Sequence, residues 1–99
     1  MENGRMPSVS LVYDRKKTAT RTRAAVVEIR ISYDYRKKYI STGVKVLPKE
    51  WRNGMVTGRL DAIELNKALT TMRNKVLKAA YNIPRFVRLF GLFFVFLRI

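Results

Sequence analysis

The chain is predicted to fold as α+β: a three-stranded antiparallel sheet packed on one C-terminal α-helix, followed by an apolar tail. Two observations carry that prediction. In three stretches between Ser8 and Val44, apolar residues recur at every second position, and from Leu60 the recurrence switches to steps of three and four. With 99 residues there is room for one small core, so sheet and helix must share it. Three strands are about the minimum for a stable sheet, and only when one face is covered. The apolar stripe of the helix is the large partner available to cover it.

Taken in order, residues 1–7 are polar and read as a flexible lead-in with no apolar run of the kind a secretory signal needs. The stretch SVSLVYD sets Val9, Leu11 and Tyr13 against Ser8, Ser10, Val12 and Asp14, a strand over about 8–14. RKKTATRTR follows as a basic loop. AAVVEIRISY places Val27, Ile29, Ile31 and Tyr33 on one side and Glu28, Arg30 and Ser32 on the other. Its β-branched residues support a second strand over about 24–33.

Asp34-Tyr35 sits where a hairpin reverses, although it lacks an Asn-Gly or Asp-Gly signal and leaves the turn type open. RKKYISTGV returns as a third strand over about 36–44, with Ile40 and Val44 toward the core and Gly43 marking a bulge or the strand end. Pro48 cannot donate to a ladder, so LPKEW leaves the sheet, with Pro48 opening a short turn that ends near Trp51. RNGMVTG reads as a loop. Over about 61–82 a helix is predicted, with Ile63, Leu65, Ala68, Leu69, Met72, Val76, Ala79 and Ala80 as its apolar stripe. Glu64, Lys67, Thr70, Arg73, Asn74, Lys75 and Lys78 fill its other side. Asp61 suits the positive end of the helix dipole, and Pro84 stops the helix.

Charge narrows the function classes. The net charge of +14 and pI near 10.8 favour a polyanionic partner: nucleic acid, an anionic membrane surface or an acidic protein. With no histidine and no cysteine, the chain lacks the ligands of an ordinary zinc site, a histidine base and any disulfide. Its seven acidic residues are scattered, with no spacing that suggests a catalytic dyad. No cofactor is expected, and hydrolytic or metal-assisted chemistry is disfavoured.

If the helix covers the side of Val27, Ile29 and Ile31, the reverse side stays open, and it carries Glu28, Arg30, Ser32, Lys37, Tyr39 and Ser41. The basic loop, with Arg15, Lys16, Lys17, Arg21 and Arg23, adjoins one end. From Arg15 to Arg52 there are twelve cationic and three anionic residues, a net of +9 in the sheet half of the chain. An ordinary solvated sheet face would also be rich in charge, but it would mix signs. Arg, Lys and Ser contact phosphates and base edges, and a protruding sheet is one of the shapes that enter a major groove. Trp51, Tyr13 and Tyr33 are expected in the core rather than at a base-stacking surface.

The wording LVYDRKK…AAVVEIRISYDYRKKYISTGVKVLPKEW, followed by LNKALTTMRNKVLKA, resembles the amino-terminal arm-type DNA-binding domain of tyrosine recombinases, the integrases of phages and conjugative transposons. The resemblance runs over roughly Val9 to Asn82 and is most specific in YISTGVKVLPKEW. It implies a three-stranded sheet on a helix, bound to double-stranded DNA in the major groove of arm-type sites, in the cytoplasm and on the nucleoid. The contacts it implies are Arg30, Ser32, Lys37, Tyr39 and Ser41; Arg15, Lys16, Lys17, Arg21 and Arg23 of the loop are candidates by their density of charge. Other integrase protomers are further partners on this reading.

Two departures from the family pattern shape the expectation. The helical core-binding domain and the catalytic domain, with its tyrosine nucleophile and His-x-x-Arg, have no place in a chain of 99 residues without histidine. The chain is therefore expected to be a non-enzymatic, N-terminal fragment of a recombinase. The second departure is the tail, residues 84–99, PRFVRLFGLFFVFLRI, expected as the product of a truncation or frame shift following an arm-type domain over 8–83. The alternative is a small basic membrane-associated protein anchored by that tail. The tail is short of the roughly twenty apolar residues that a span needs.

Overall fold

The computed structural model describes residues 7–33 and 35–82, so the apolar tail and the membrane alternative that depends on it lie outside the described residues. The predicted architecture is the observed one. Strands β1 (Ser8–Tyr13), β2 (Ala25–Tyr33) and β3 (Arg36–Val46) form an antiparallel sheet in the order β1-β2-β3. Helix α1 (Ala62–Asn82) lies across one face.

Val27, Ile29 and Ile31 of β2 are all but sealed from solvent, as alternation on the central strand of a covered sheet requires. They divide the core in two. Val9, Ile29, Ile31 and Ala80 form one cluster; Val27, Val46, Val56 and Leu69 form the other, and Leu11 and Met72 pack against both. The helix therefore buries a stripe through Ala62, Leu65, Leu69, Met72, Val76 and Ala80, with Leu77 beside it.

That stripe departs from the predicted one: it takes in Ala62 and Leu77 and leaves out Ile63 and Ala68. Ile63 is 77% exposed and Ala68 is also exposed, whereas Arg73 is half-buried and donates from Nη1 to the Val9 carbonyl at 3.4 Å. At 3.6 residues per turn Ile63 stands about 200° from Leu65, on the far side of the helix, so its apolar character does not place it in the core. Arg73 lies one residue past Met72, at the edge of the stripe.

Gly43 marks a bulge. Pairing runs in register from Tyr33↔Arg36 to Glu28↔Ser41, then shifts so that Val26 faces Lys45. Gly43 has φ 81 and the Thr42 hydroxyl donates to the Val27 carbonyl at 2.7 Å, which occupies an acceptor at the break in the ladder. At the opposite end of the hairpin, Tyr33↔Arg36 pairing leaves a two-residue reversal in which Tyr35 has φ 65 and is 93% exposed.

The RNGMVTG stretch is not simply a loop. After a single 3-10 turn at Pro48–Glu50, β4 (Trp51–Arg52) pairs with β5 (Met55–Val56) in a small second sheet. Asn53 and Gly54 have φ 55 and 76, the positive pair that a two-residue type I′ turn requires, so the Asn-Gly step makes a hairpin here. The Asn66 side chain of α1 clamps it: its Oδ1 accepts from the Val56 N–H at 2.8 Å and its Nδ2 donates to the Val56 carbonyl at 2.9 Å. Trp51, expected in the core, stacks on Tyr13 and packs against the Val27–Leu69 cluster.

Candidate nucleic-acid interface

Strand register assembles the open face from three columns. Because paired residues share a side, the pairings generate three rows across β1, β2 and β3: Ser8–Ser32–Lys37, Ser10–Arg30–Tyr39 and Val12–Glu28–Ser41. These alternate with the buried Val27, Ile29 and Ile31 and so point away from α1. Arg30, Ser32, Lys37, Tyr39 and Ser41 are thus brought together on one surface. The β1 column of Ser8, Ser10 and Val12 was legible in the alternation of SVSLVYD but was not counted in the predicted face. Lys38 pairs with Ile31 and so takes the helix side of the sheet.

Arg30 occupies the middle of the central row. Its Nε is buried and has no hydrogen-bond partner among the described residues, while the residue as a whole is half-exposed. Its two Nη atoms are the pair that can fork onto two acceptors.

Glu28 is the unexpected member. It is an acidic residue at 9% exposure on a cationic face. Arg15 reaches over from the β1–β2 connection and meets it with a fork: Nε to Oε1 at 2.8 Å and Nη2 to Oε2 at 3.2 Å. The same guanidinium lies over the Tyr39 ring, with Cζ 3.9 Å from the centroid. The hydrogen bond to Glu28 holds the Arg15 guanidinium above its ordinary pKa, with attraction to the carboxylate adding to it and desolvation opposing. Sequence reasoning set Arg15 in a basic loop; the signal for this contact, a carboxylate among cations at Glu28, was visible but had no predicted partner.

The rest of that connection is ordered by Asp14. Its carbonyl accepts from the Lys17 N–H at 3.0 Å, and its carboxylate accepts from the N–H groups of Thr18 at 2.7 Å and Ala19 at 3.2 Å. Asp14 and Lys17 have φ 51 and 60, the left-handed conformation that Asp tolerates well. Lys16, Lys17, Arg21 and Arg23 are all exposed. Thr20 and Arg23 exchange backbone hydrogen bonds at 3.0 and 3.2 Å, so Arg21 stands at the tip of a four-residue turn. Arg15 is the cation of this segment that turns back onto the sheet; the others extend its charge beyond one end.

The surface is therefore an array of hydroxyl, phenol, ammonium and guanidinium groups. It can donate many hydrogen bonds at the spacing of a sheet, and its cations can neutralise a row of phosphates. A family model described as Arm DNA-binding domain matches residues 12–87 of the chain, a span that takes in β2, β3, the small hairpin and α1. No curated protein and no solved structure matches it.

Proposed function

The chain belongs to the Arm DNA-binding domain family, the N-terminal arm-type domain of tyrosine recombinases, and from that premise we propose that it reads duplex DNA with the open face of its sheet. The observation that carries this reading is the central row, Ser10–Arg30–Tyr39, with donors aimed away from the helix and cations around it. Set into a major groove, the Arg30 fork would face base edges, since paired Arg donors match the O6 and N7 acceptors of guanine. Ser32, Lys37 and Ser41 would flank it. Lys16, Lys17, Arg21 and Arg23 would lie along phosphates and supply affinity without sequence preference.

On this reading the chain recognises a specific site beside a recombination locus, as the arm-binding part of an integrase, and works on nucleoid DNA. A gel-shift titration of the purified protein tests it, with duplex DNA from the flanks of a mobile element's attachment site against scrambled duplex. If about five phosphates are neutralised, the slope of log affinity on log salt is about −4 to −5. Equal affinity for both duplexes at every salt concentration would overturn sequence-specific reading and leave general polyanion binding.

A further inference from the structure

The Arg15–Glu28–Tyr39 contact assigns Arg15 a role apart from the other loop cations. We propose that Glu28 withholds Arg15 from the phosphates and makes it a positioning residue, a lid that fixes the Tyr39 ring for base-edge readout in duplex DNA. This rests on the reading of the open face given above.

A carboxylate at 9% exposure in a DNA-facing sheet repels phosphate unless it is neutralised. Arg15 neutralises it with two parallel hydrogen bonds, so the pair adds no net charge to the face. An arginine meant for phosphate would gain from freedom to reach outward; this one sits over a ring, with Cζ 3.9 Å from its centroid. Tyr39 stands directly across from Arg30 in the central row. With one face of the ring capped by a guanidinium, its freedom to swing is reduced, and this ring belongs to the residue that faces Arg30 across the strands. The acidic residue thus gives up part of the electrostatic attraction for definition of the reading surface. It lowers affinity for any duplex and raises discrimination between duplexes.

Three variants separate this from an ordinary phosphate contact. A duplex enriched from a random pool by the wild-type protein and a scrambled duplex of equal length are titrated at several salt concentrations. The Tyr39 ring signals are followed by NMR without DNA. Arg15→Ala/Glu28→Gln leaves net charge unchanged; it should keep the salt slope, lose roughly tenfold in preference, and shift the ring signals. Glu28→Gln alone frees a cation; it should tighten binding to the scrambled duplex and steepen the slope by up to about 0.9. Arg15→Lys keeps the charge without the flat fork and should not restore preference.

If the double variant instead shows a slope shallower by about 0.9 with preference intact, Arg15 is a phosphate contact and the proposal falls. Ring signals that do not move in either Glu28 variant also sink it. A wild-type protein that enriches no sequence from the pool defeats the DNA-reading proposal itself, whereas enrichment that survives in all three variants defeats this one alone.

Discussion

Tyr13 stacks on Trp51 with ring centroids 5.6 Å apart and planes inclined by 22°, while its hydroxyl donates to the Val46 carbonyl at 2.8 Å. One side chain at the end of β1 thereby holds both the end of β3 and the start of β4. Burial pushes its phenol pKa up, with the nearby carboxylates of Asp14 and Glu50 adding to the effect. Tyr13→Phe should keep the stacking and lose the hydrogen bond, costing about 1 kcal/mol in urea denaturation. Trp51→Ala should cost about 3 kcal/mol, because it removes the partner of the stack and opens the Val27–Leu69 cluster. Equal costs for the two would show that the stack contributes little.

On the proposed reading, base contacts and charge are separable on the open face. Arg30→Ala should reduce discrimination between duplexes by about 1–3 kcal/mol. Lys16→Ala or Lys17→Ala should weaken binding to every duplex alike and make the salt slope shallower by about 0.9 each. Gel shifts at three or more salt concentrations measure both quantities. An Arg30 variant that loses affinity uniformly would move Arg30 into the phosphate-contacting group.

The Asn66 amide serves Val56 as a neighbouring strand would, accepting from its N–H and donating to its carbonyl. Asn66→Ala leaves both backbone groups without that partner beside a residue that is 2% exposed, and should cost about 1–3 kcal/mol. The Val56 amide should lose its protection in hydrogen exchange while the Ile29 amide keeps its own. Unchanged protection at Val56 would show that the small hairpin is held by its side chains instead.

Acid should loosen the start of α1. Arg59 binds the Asp61 carboxylate with Nε at 2.8 Å and Nη2 at 3.0 Å, and this hydrogen bonding holds the Asp61 pKa below its usual 3.8. A depressed carboxylate pKa adds stability that is present above the unfolded value and lost as pH falls through the folded one. Wild type should therefore exceed Asp61→Asn in stability at pH 6 by more than it does at pH 2. A gap that stays constant between those two values would detach Asp61 from the acid response. The group is exposed, so the difference should be small and should shrink in salt.

How much of this was legible in the sequence follows from which interactions are periodic. Alternation in AAVVEIRISY assigns sides on β2 unambiguously, so Val27, Ile29 and Ile31 fall inward and Glu28, Arg30 and Ser32 outward. The same alternation in SVSLVYD completes the face. The helix stripe was less legible, since apolar type alone put Ile63 and Ala68 on the wrong side. Contacts between residues distant in sequence leave no periodic trace: Arg15 on Glu28 and Tyr39, Asn66 on Val56, Tyr13 on Val46. The small hairpin was missed for another reason. Its Asn-Gly signal is present, but strands of two residues are too short to alternate.

Tyr35 at the apex of the long hairpin carries one further consequence. Its left-handed backbone, φ 65, is a conformation that glycine or asparagine adopts far more readily, and its ring gains almost nothing from burial at 93% exposure. Tyr35→Gly should raise the melting temperature by a few degrees, a relief of about 1 kcal/mol. The aromatic there adds nothing to the endurance of the fold, and an unaltered melting point would show that its backbone geometry costs nothing either.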